Sequence, residues 1–197
     1  MQPEFYTTQL LKNLKVLDYL EQRGVGINLI MEFQLGWLEK GQFIQNLYGE
    51  GIVFPIFDFN SNVVECVMRK EGCEQKYLWT KDSNKGKCLY GLNKTWKDIM
   101  NAGYVVLVEG FFDFLVLYSK GIKNVASPMT NNLGLCQGWM LSCFCNNAIF
   151  IFDGDNKRGS LRGRKYIDVV EKKIPFDLDP DEFVLKNGIE SFKKYVI

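Results

Sequence analysis

Glu109 ends a solid apolar run, Tyr104-Val105-Val106-Leu107-Val108, and is followed by Gly110 and then Asp113. A second run, Ala148-Ile149-Phe150-Ile151-Phe152, ends in Asp153-Gly154-Asp155. A third acidic group, Asp179-Pro180-Asp181, closes a shorter run over 174–178. Buried strands of a parallel sheet read as continuous apolar stretches. Open α/β sheets place their chemistry at the carboxyl ends of such strands. Acids at those ends can therefore converge on one crevice. Carboxylates crowded together are costly unless a cation neutralises them. With no histidine in the chain, the donors are all oxygen, which suits a hard divalent ion, Mg²⁺ or Mn²⁺. Any one of these aspartates alone could equally be a helix N-terminal acid or a surface group. Their recurrence at strand ends is what favours a metal.

The elements that must position these acids follow an alternating grammar after about residue 100. The pattern predicts strands at 104–108, 124–126, 148–152 and 174–178, with helices at 111–119, 135–145 and 161–172 between them. Such alternation favours a parallel sheet with crossover helices. Gly110 allows a sharp turn from strand into helix, so Asp113 faces back toward Glu109. Upstream, Leu10, Leu11, Leu14, Leu17 and Leu20 fit one helical face that stops at Gly24, and a short helix is expected over 29–33. Strands are expected at 52–57 and 63–68 around the turn-rich loop 58–62. Pro55 marks the first of these as an edge strand or a bulged one. The stretch 70–87 is polar and basic, with Tyr77-Leu78-Trp79 as a short strand. The expected class is α/β (α+β): an N-terminal mixed subdomain over 1–100, then a compact, mainly parallel α/β subdomain over 101–197.

Composition narrows the chemistry. Apolar content of 47% and charged content of 24% are those of a globular protein. No apolar run approaches a membrane span, and Met1-Gln2-Pro3-Glu4 opens no signal pattern, so a cytoplasmic protein without membrane association is expected. The six cysteines include no C-x-x-C pair, so they read as buried thiols rather than zinc ligands. Without histidine, Ser-His-Asp and Cys-His hydrolases are excluded. Net charge of +1 gives no bulk attraction for nucleic acid, but the distribution is uneven. Eight basic and three acidic residues lie over 69–97, and five basic with no acidic residue over 156–165, including Lys157 and Arg158 directly after Asp155. Such clusters can follow a phosphate backbone. Of the aromatic residues among them, Phe57, Tyr77 and Tyr90 read as core, whereas Trp79 is a candidate for stacking on single-stranded bases.

Val108-Glu109-Gly110-Phe111-Phe112-Asp113, Asp153-Gly154-Asp155 and Asp179-Pro180-Asp181-Glu182 together resemble the Toprim domain of DnaG-type bacterial and phage primases. The resemblance continues upstream through Tyr19 to Gly24, Phe33 to Trp37, Phe54-Pro55-Ile56, Lys76-Tyr77-Leu78, Lys85-Gly86-Lys87 and Leu89 to Leu92. It covers residues 15–195. It implies a Toprim-like second subdomain and DNA-templated RNA primer synthesis by nucleotidyl transfer. It also implies Glu109, Asp153 and Asp155 as the central catalytic, metal-binding acids, with Asp113, Asp179 and Asp181 assisting. Arg69, Lys76, Lys85 and Lys87 match positions that line the family's basic groove. The partners implied are a single-stranded DNA template, nucleoside triphosphates and an RNA primer, with a replicative helicase or a zinc-binding module in trans as possible additions.

The chain departs from the family pattern in three places. Trp79 stands where the family usually has Asn, Asn156-Lys157-Arg158-Gly159 replaces the commoner continuation, and Pro128-Met129-Thr130 replaces a Leu-Gly-Thr turn. These suggest a divergent phage or mobile-element member. The 197 residues hold no Cys/His zinc module and no helicase-binding bundle, so primer extension is expected to exceed de novo initiation. A Toprim-type nuclease would use the same acids without the basic landmarks over 69–87, and a silent nucleic-acid-binding module would have lost the acids.

Overall fold

The computed structural model describes residues 3–44, 46–70, 76–80, 83, 85–153 and 159–196. They form two units, Met1–Asn84 and Lys85–Ile197.

The first unit opens with α1 (Pro3–Lys12), α2 (Leu14–Gln22) and α3 (Ile27–Glu32). The leucine-rich face from Leu10 to Leu20 is thus split over two helices, because the Asn13 side chain caps α2 by accepting the Val16 N–H at 3.4 Å. Strands β1 (Gly36–Leu38), β2 (Phe43–Ile44), β3 (Leu47–Tyr48), β4 (Gly51–Phe57), β5 (Val63–Arg69) and β6 (Tyr77–Trp79) follow. One antiparallel sheet has the order β1-β4-β5-β6, and β2 and β3 pair separately. Pro55 therefore sits on an interior strand, not an edge. It is tolerated because β1 pairs only as far as Val53, so the β1 side of β4 carries no ladder at Pro55. A register shift follows between Ile56 and Phe57. The core of this unit joins Leu38, Ile44, Leu47, Val53, Cys66 and Met68.

The second unit carries α4 (Leu92–Ala102), β7 (Tyr104–Val108), α5 (Phe111–Ser119), β8 (Val125–Ala126), α6 (Leu135–Ser142), β9 (Asn147–Phe152), β10 (Asp168–Lys173), α7 (Pro180–Asn187) and α8 (Ile189–Val196). All pairings in its sheet are parallel, in the order β10-β9-β7-β8. Val105 to Val108 on β7 and Ala148, Phe150 and Ile151 on β9 are at most 1% exposed, the mark of strands covered on both faces. The division falls at Asn84/Lys85 although the strand–helix alternation starts only near residue 100, because α4 packs on β7 and β8.

Two expected elements are different. The stretch 161–172 is not a helix but a 3₁₀ turn (Arg162–Lys165) followed by β10, and 174–178 is a 3₁₀ turn (Pro175–Asp177) rather than a strand. β10 is an edge strand paired only with β9, and most of its residues face solvent. It therefore lacks the apolar run that identifies its neighbours. Pro175, without an N–H, and Asp177, at φ +50°, keep the next segment out of the sheet. Among the described residues no helix is long and apolar enough to cross a membrane.

Candidate active site

β7 and β9 run parallel with Val108 opposite Ile151, so both chains leave the sheet at the same end and one step apart. Glu109 and Asp153 are the residues that leave it. The Asp153 N–H donates to Glu109 Oε1 at 3.0 Å, so a side-chain carboxylate ends the ladder where a backbone carbonyl would otherwise accept. Both residues are partly exposed. The neighbouring chain adds a further tie. Ser127, fully buried just past β8, donates from Oγ to the Glu109 carbonyl at 3.0 Å and accepts the Met129 N–H at 2.9 Å. Sequence reasoning passed over Ser127, whose only signal was a small polar residue at the carboxyl end of a third apolar run.

Asp113 reaches this edge from the third position of α5. Its Oδ2 accepts the N–H of the N-cap residue Gly110 at 3.1 Å, and its Oδ1 accepts the Asp181 N–H at 3.0 Å. One carboxylate thus satisfies an orphan amide at the start of α5 and another in the first turn of α7. Gly110 leaves room for this carboxylate: a Cβ there would lie 2.5 Å from Asp113 Oδ2 and displace it. Asp179 is the N-cap residue of α7, and the buried Asp181 accepts the Glu182 N–H at 2.9 Å. These two acids come from a helix N-terminus, not from a strand end, and Asp181 accepts an amide of that helix start. Asp113 is 5% exposed. Burial above all, then the negative charges of Asp181, Asp153 and Asp179, push its carboxyl well above the ordinary range. Asp181, Asp153 and Asp179 thus lie near enough to act on Asp113, and Glu109 accepts the Asp153 amide directly.

Among the described residues no three acids or cysteines stand close enough together to enclose a metal ion. Asp155, Lys157 and Arg158 lie outside the described residues.

The basic residues divide between the units. In the first, Arg69 at the end of β5 donates from Nη1 to the Tyr77 hydroxyl at 2.9 Å, across its pair on β6. Lys76 is exposed just before β6, and Trp79 is half-buried on it. In the second, Lys85 and Lys87 flank Gly86 in a 3₁₀ turn. Lys87 is exposed, whereas Lys85 is half-buried, and that burial lowers its ammonium pKa. Arg164 is occupied at the surface by Glu171 at 2.6 Å and by the Val169 carbonyl. Tyr90 is core, 2% exposed and edge-on to Phe111 and Phe114. The cysteines are mixed: Cys66 and Cys145 are buried thiols, but Cys136 and Cys143 are exposed.

No family model matches the chain. The DNA primase of Aquifex aeolicus is 27% identical over 237 residues, covering 98% of this chain and 47% of that protein. The DNA primase of Clostridium acetobutylicum is 32% identical over 200 residues, covering 95% of this chain and 32% of the relative. The chain thus spans between about a third and a half of the length of these curated relatives. Among solved structures, the zinc-binding and RNA polymerase domains of the Aquifex aeolicus primase superpose with a TM-score of 0.82 at 27% identity, over 98% of this chain and 58% of that one. A DnaG catalytic core gives a TM-score of 0.79 at 22% identity, over 98% of this chain and 76% of that one, a likeness of fold.

Proposed function

We propose that the chain is a counterpart of the RNA polymerase core of DnaG-type DNA primases, which it resembles in sequence and fold, and that it joins ribonucleotides into short RNA on a DNA template. The observation that carries the proposal is the gathering of Glu109, Asp113, Asp153, Asp179 and Asp181 at one edge of the parallel sheet, with Glu109 and Asp153 in direct contact.

The set suits a divalent cation in donor type, although among the described residues no three of the acids close around one. The donors are all carboxylate oxygens, and burial first, then the charges of Asp181, Asp153 and Asp179, hold the Asp113 carboxyl high. In this reading Glu109 and Asp153, together with Asp155, hold Mg²⁺ or Mn²⁺. Asp113 and Asp181, committed to helix-terminal amides, act on the ion through charge and position. When bound, the cation supplies Lewis acidity at the α-phosphate and offsets charge on the departing pyrophosphate. The protein's own part is placement. Glu109 is fixed by its contact with the Asp153 amide and by the Ser127 bond to its carbonyl. Lys85 and Lys87 offer positive charge to triphosphate or template backbone, and Arg69, Lys76 and Trp79 offer charge and one aromatic face on the first unit. The 3′-hydroxyl oxygen bonds to the α-phosphorus as the bond to pyrophosphate breaks, so no covalent enzyme intermediate is needed. A chain without histidine is adequate for that chemistry.

The test is incubation with single-stranded DNA, labelled nucleoside triphosphates and Mg²⁺ or Mn²⁺, with products resolved by length. A ladder of short RNA that disappears in Asp153→Asn supports the proposal. Shortening of the DNA without nucleotides would replace it with a Toprim-type nuclease, and an inert protein that still binds the strand would leave a binding module.

A further inference from the structure

Gln137 lies in the first turn of α6, and its side-chain amide is buried, at 2% exposure. Burying an amide is costly unless its donors and acceptor are satisfied, and here they are spread over three segments. Oε1 accepts the Gly134 N–H at 2.8 Å, which caps α6. Nε2 donates to the carbonyls of Cys88 at 2.8 Å and Lys85 at 3.1 Å, with the Pro128 carbonyl at 3.4 Å. One side of the amide therefore serves the helix. The other grips the two ends of the turn that carries Lys85 and Lys87.

The turn is three residues of 3₁₀ helix, and Gly86 and Lys87 are exposed. Just beyond it, Tyr90 and Ser127 exchange backbone hydrogen bonds at 2.8 and 3.2 Å. Ser127 in turn bonds the Glu109 carbonyl. A short covalent and hydrogen-bonded path thus runs from the lysine turn through Gln137 and the 127–134 loop to the acid edge, inside a single unit. An apolar residue at 137 could not make the link.

We infer that Gln137 is a positioning residue whose buried amide holds the Lys85-Gly86-Lys87 turn in fixed relation to the Glu109 edge, so that both lysines meet phosphates of one bound strand. The inference rests on the reading of this turn as phosphate-binding. Gln137 itself touches no substrate.

Binding of a fluorescent oligo-dT strand across a salt series tests it, because each phosphate contact adds about 0.7 to the slope of log K against log salt for single strands. Lys85→Ala/Lys87→Ala should lower that slope by about 1.4. Gln137→Met, neutral and similar in length, should lower it by a comparable amount. Gln137→Glu, which keeps an acceptor for Gly134 but faces the two carbonyls with oxygen, should do the same. The combined Gln137→Met/Lys85→Ala/Lys87→Ala protein should bind no more weakly than the double lysine variant. Leu141→Ala, a truncation in the core beneath the same helix, controls for general destabilisation and should leave the slope unchanged. A normal slope in both Gln137 variants, or fully additive losses in the combined variant, would overturn the positioning role alone. A normal slope in Lys85→Ala/Lys87→Ala would overturn the phosphate reading of the turn, and the inference with it.

Discussion

Asp113 is the acid whose replacement separates structure from charge. Asp113→Ala deprives two helix-terminal amides, Gly110 and Asp181, of their acceptor. Each buried amide left unsatisfied costs about 1–3 kcal/mol. Relief of repulsion from Asp153, Asp179 and Asp181 opposes this, so a net loss of roughly 2–3 kcal/mol is expected at neutral pH. Asp113→Asn keeps one acceptor and removes the charge, so its cost should depend on pH. The folded carboxyl titrates well above its ordinary value, chiefly through burial. Stability from such a group is fully present below the unfolded value of about 3.9 and is lost as pH rises through the folded one. The wild type should therefore lose stability relative to Asp113→Asn as pH rises from about 4, by up to a factor of about ten in the folding constant per pH unit.

Urea unfolding in EDTA, followed by far-UV circular dichroism, gives the two curves. Groups common to both proteins cancel in the difference. Added Mg²⁺ should flatten the wild-type decline, because a cation at the Glu109 edge offsets the same negative charge. Parallel curves for the two proteins in EDTA would refute the account of Asp113 as a buried, charge-crowded carboxylate.

Glu109→Gln retains an oxygen that can accept the Asp153 amide, so melting should barely move, whereas RNA synthesis should fall about 10²- to 10³-fold, as when other charge-stabilising groups are removed. Calorimetry with Mn²⁺ should show the matching loss of affinity. Lys76→Ala should weaken single-strand binding and lower the salt slope by about 0.7, with metal affinity unchanged by the same calorimetry. Burial and the neighbouring Glu65 charge push the Cys66 thiol up to about 12. Iodoacetamide at pH 8 followed by peptide mapping should therefore label Cys136 and Cys143 quickly, and Cys66 only after unfolding. In Gly138→Ala the new Cβ would come within 2.4 Å of the Gly163 carbonyl. Overpacking of this kind costs about 1–3 kcal/mol, measurable as a lower urea midpoint.

The strand ends were legible because a parallel sheet buried on both faces leaves an unbroken apolar signature. The run from Val105 to Val108 and the run ending at Phe152 lie side by side in register, which is why Glu109 and Asp153 meet. β10 carries no such signature. It pairs on one side only, and the charges of Asp168, Glu171, Lys172 and Lys173 face outward in a spacing that suits a helix face equally well. Of the two readings Pro55 offered, the irregular strand holds, with its register shift after Ile56, and the edge strand does not. A proline reports only that its own N–H joins no ladder, and on β4 the ladder to β1 has already ended. Ser127 and Gln137 were invisible for another reason. Their importance lies in partners from 9 to 52 positions away, and no periodicity within the chain encodes such pairings.

Asp179 and Asp181 fit both readings that the sequence offers, a helix N-terminal acid and a member of the acidic site, and the structure shows why these do not compete. The start of a helix presents unpaired amides and the positive end of its dipole. Asp113 at the start of α5 and Asp179 and Asp181 at the start of α7 are each favoured there on local grounds. Because the Asp181 amide bonds Asp113, the two helix starts are drawn together, and their acids with them. Helix dipoles favour acids at these positions, and Asp113 titrates high chiefly because it is buried, with Asp181, Asp153 and Asp179 adding to the rise. Glu109 and Asp153 are the only two of the five that leave strand ends. Capping thus places three of the acids and the sheet register the two partly exposed ones, the arrangement on which the proposed cation site rests.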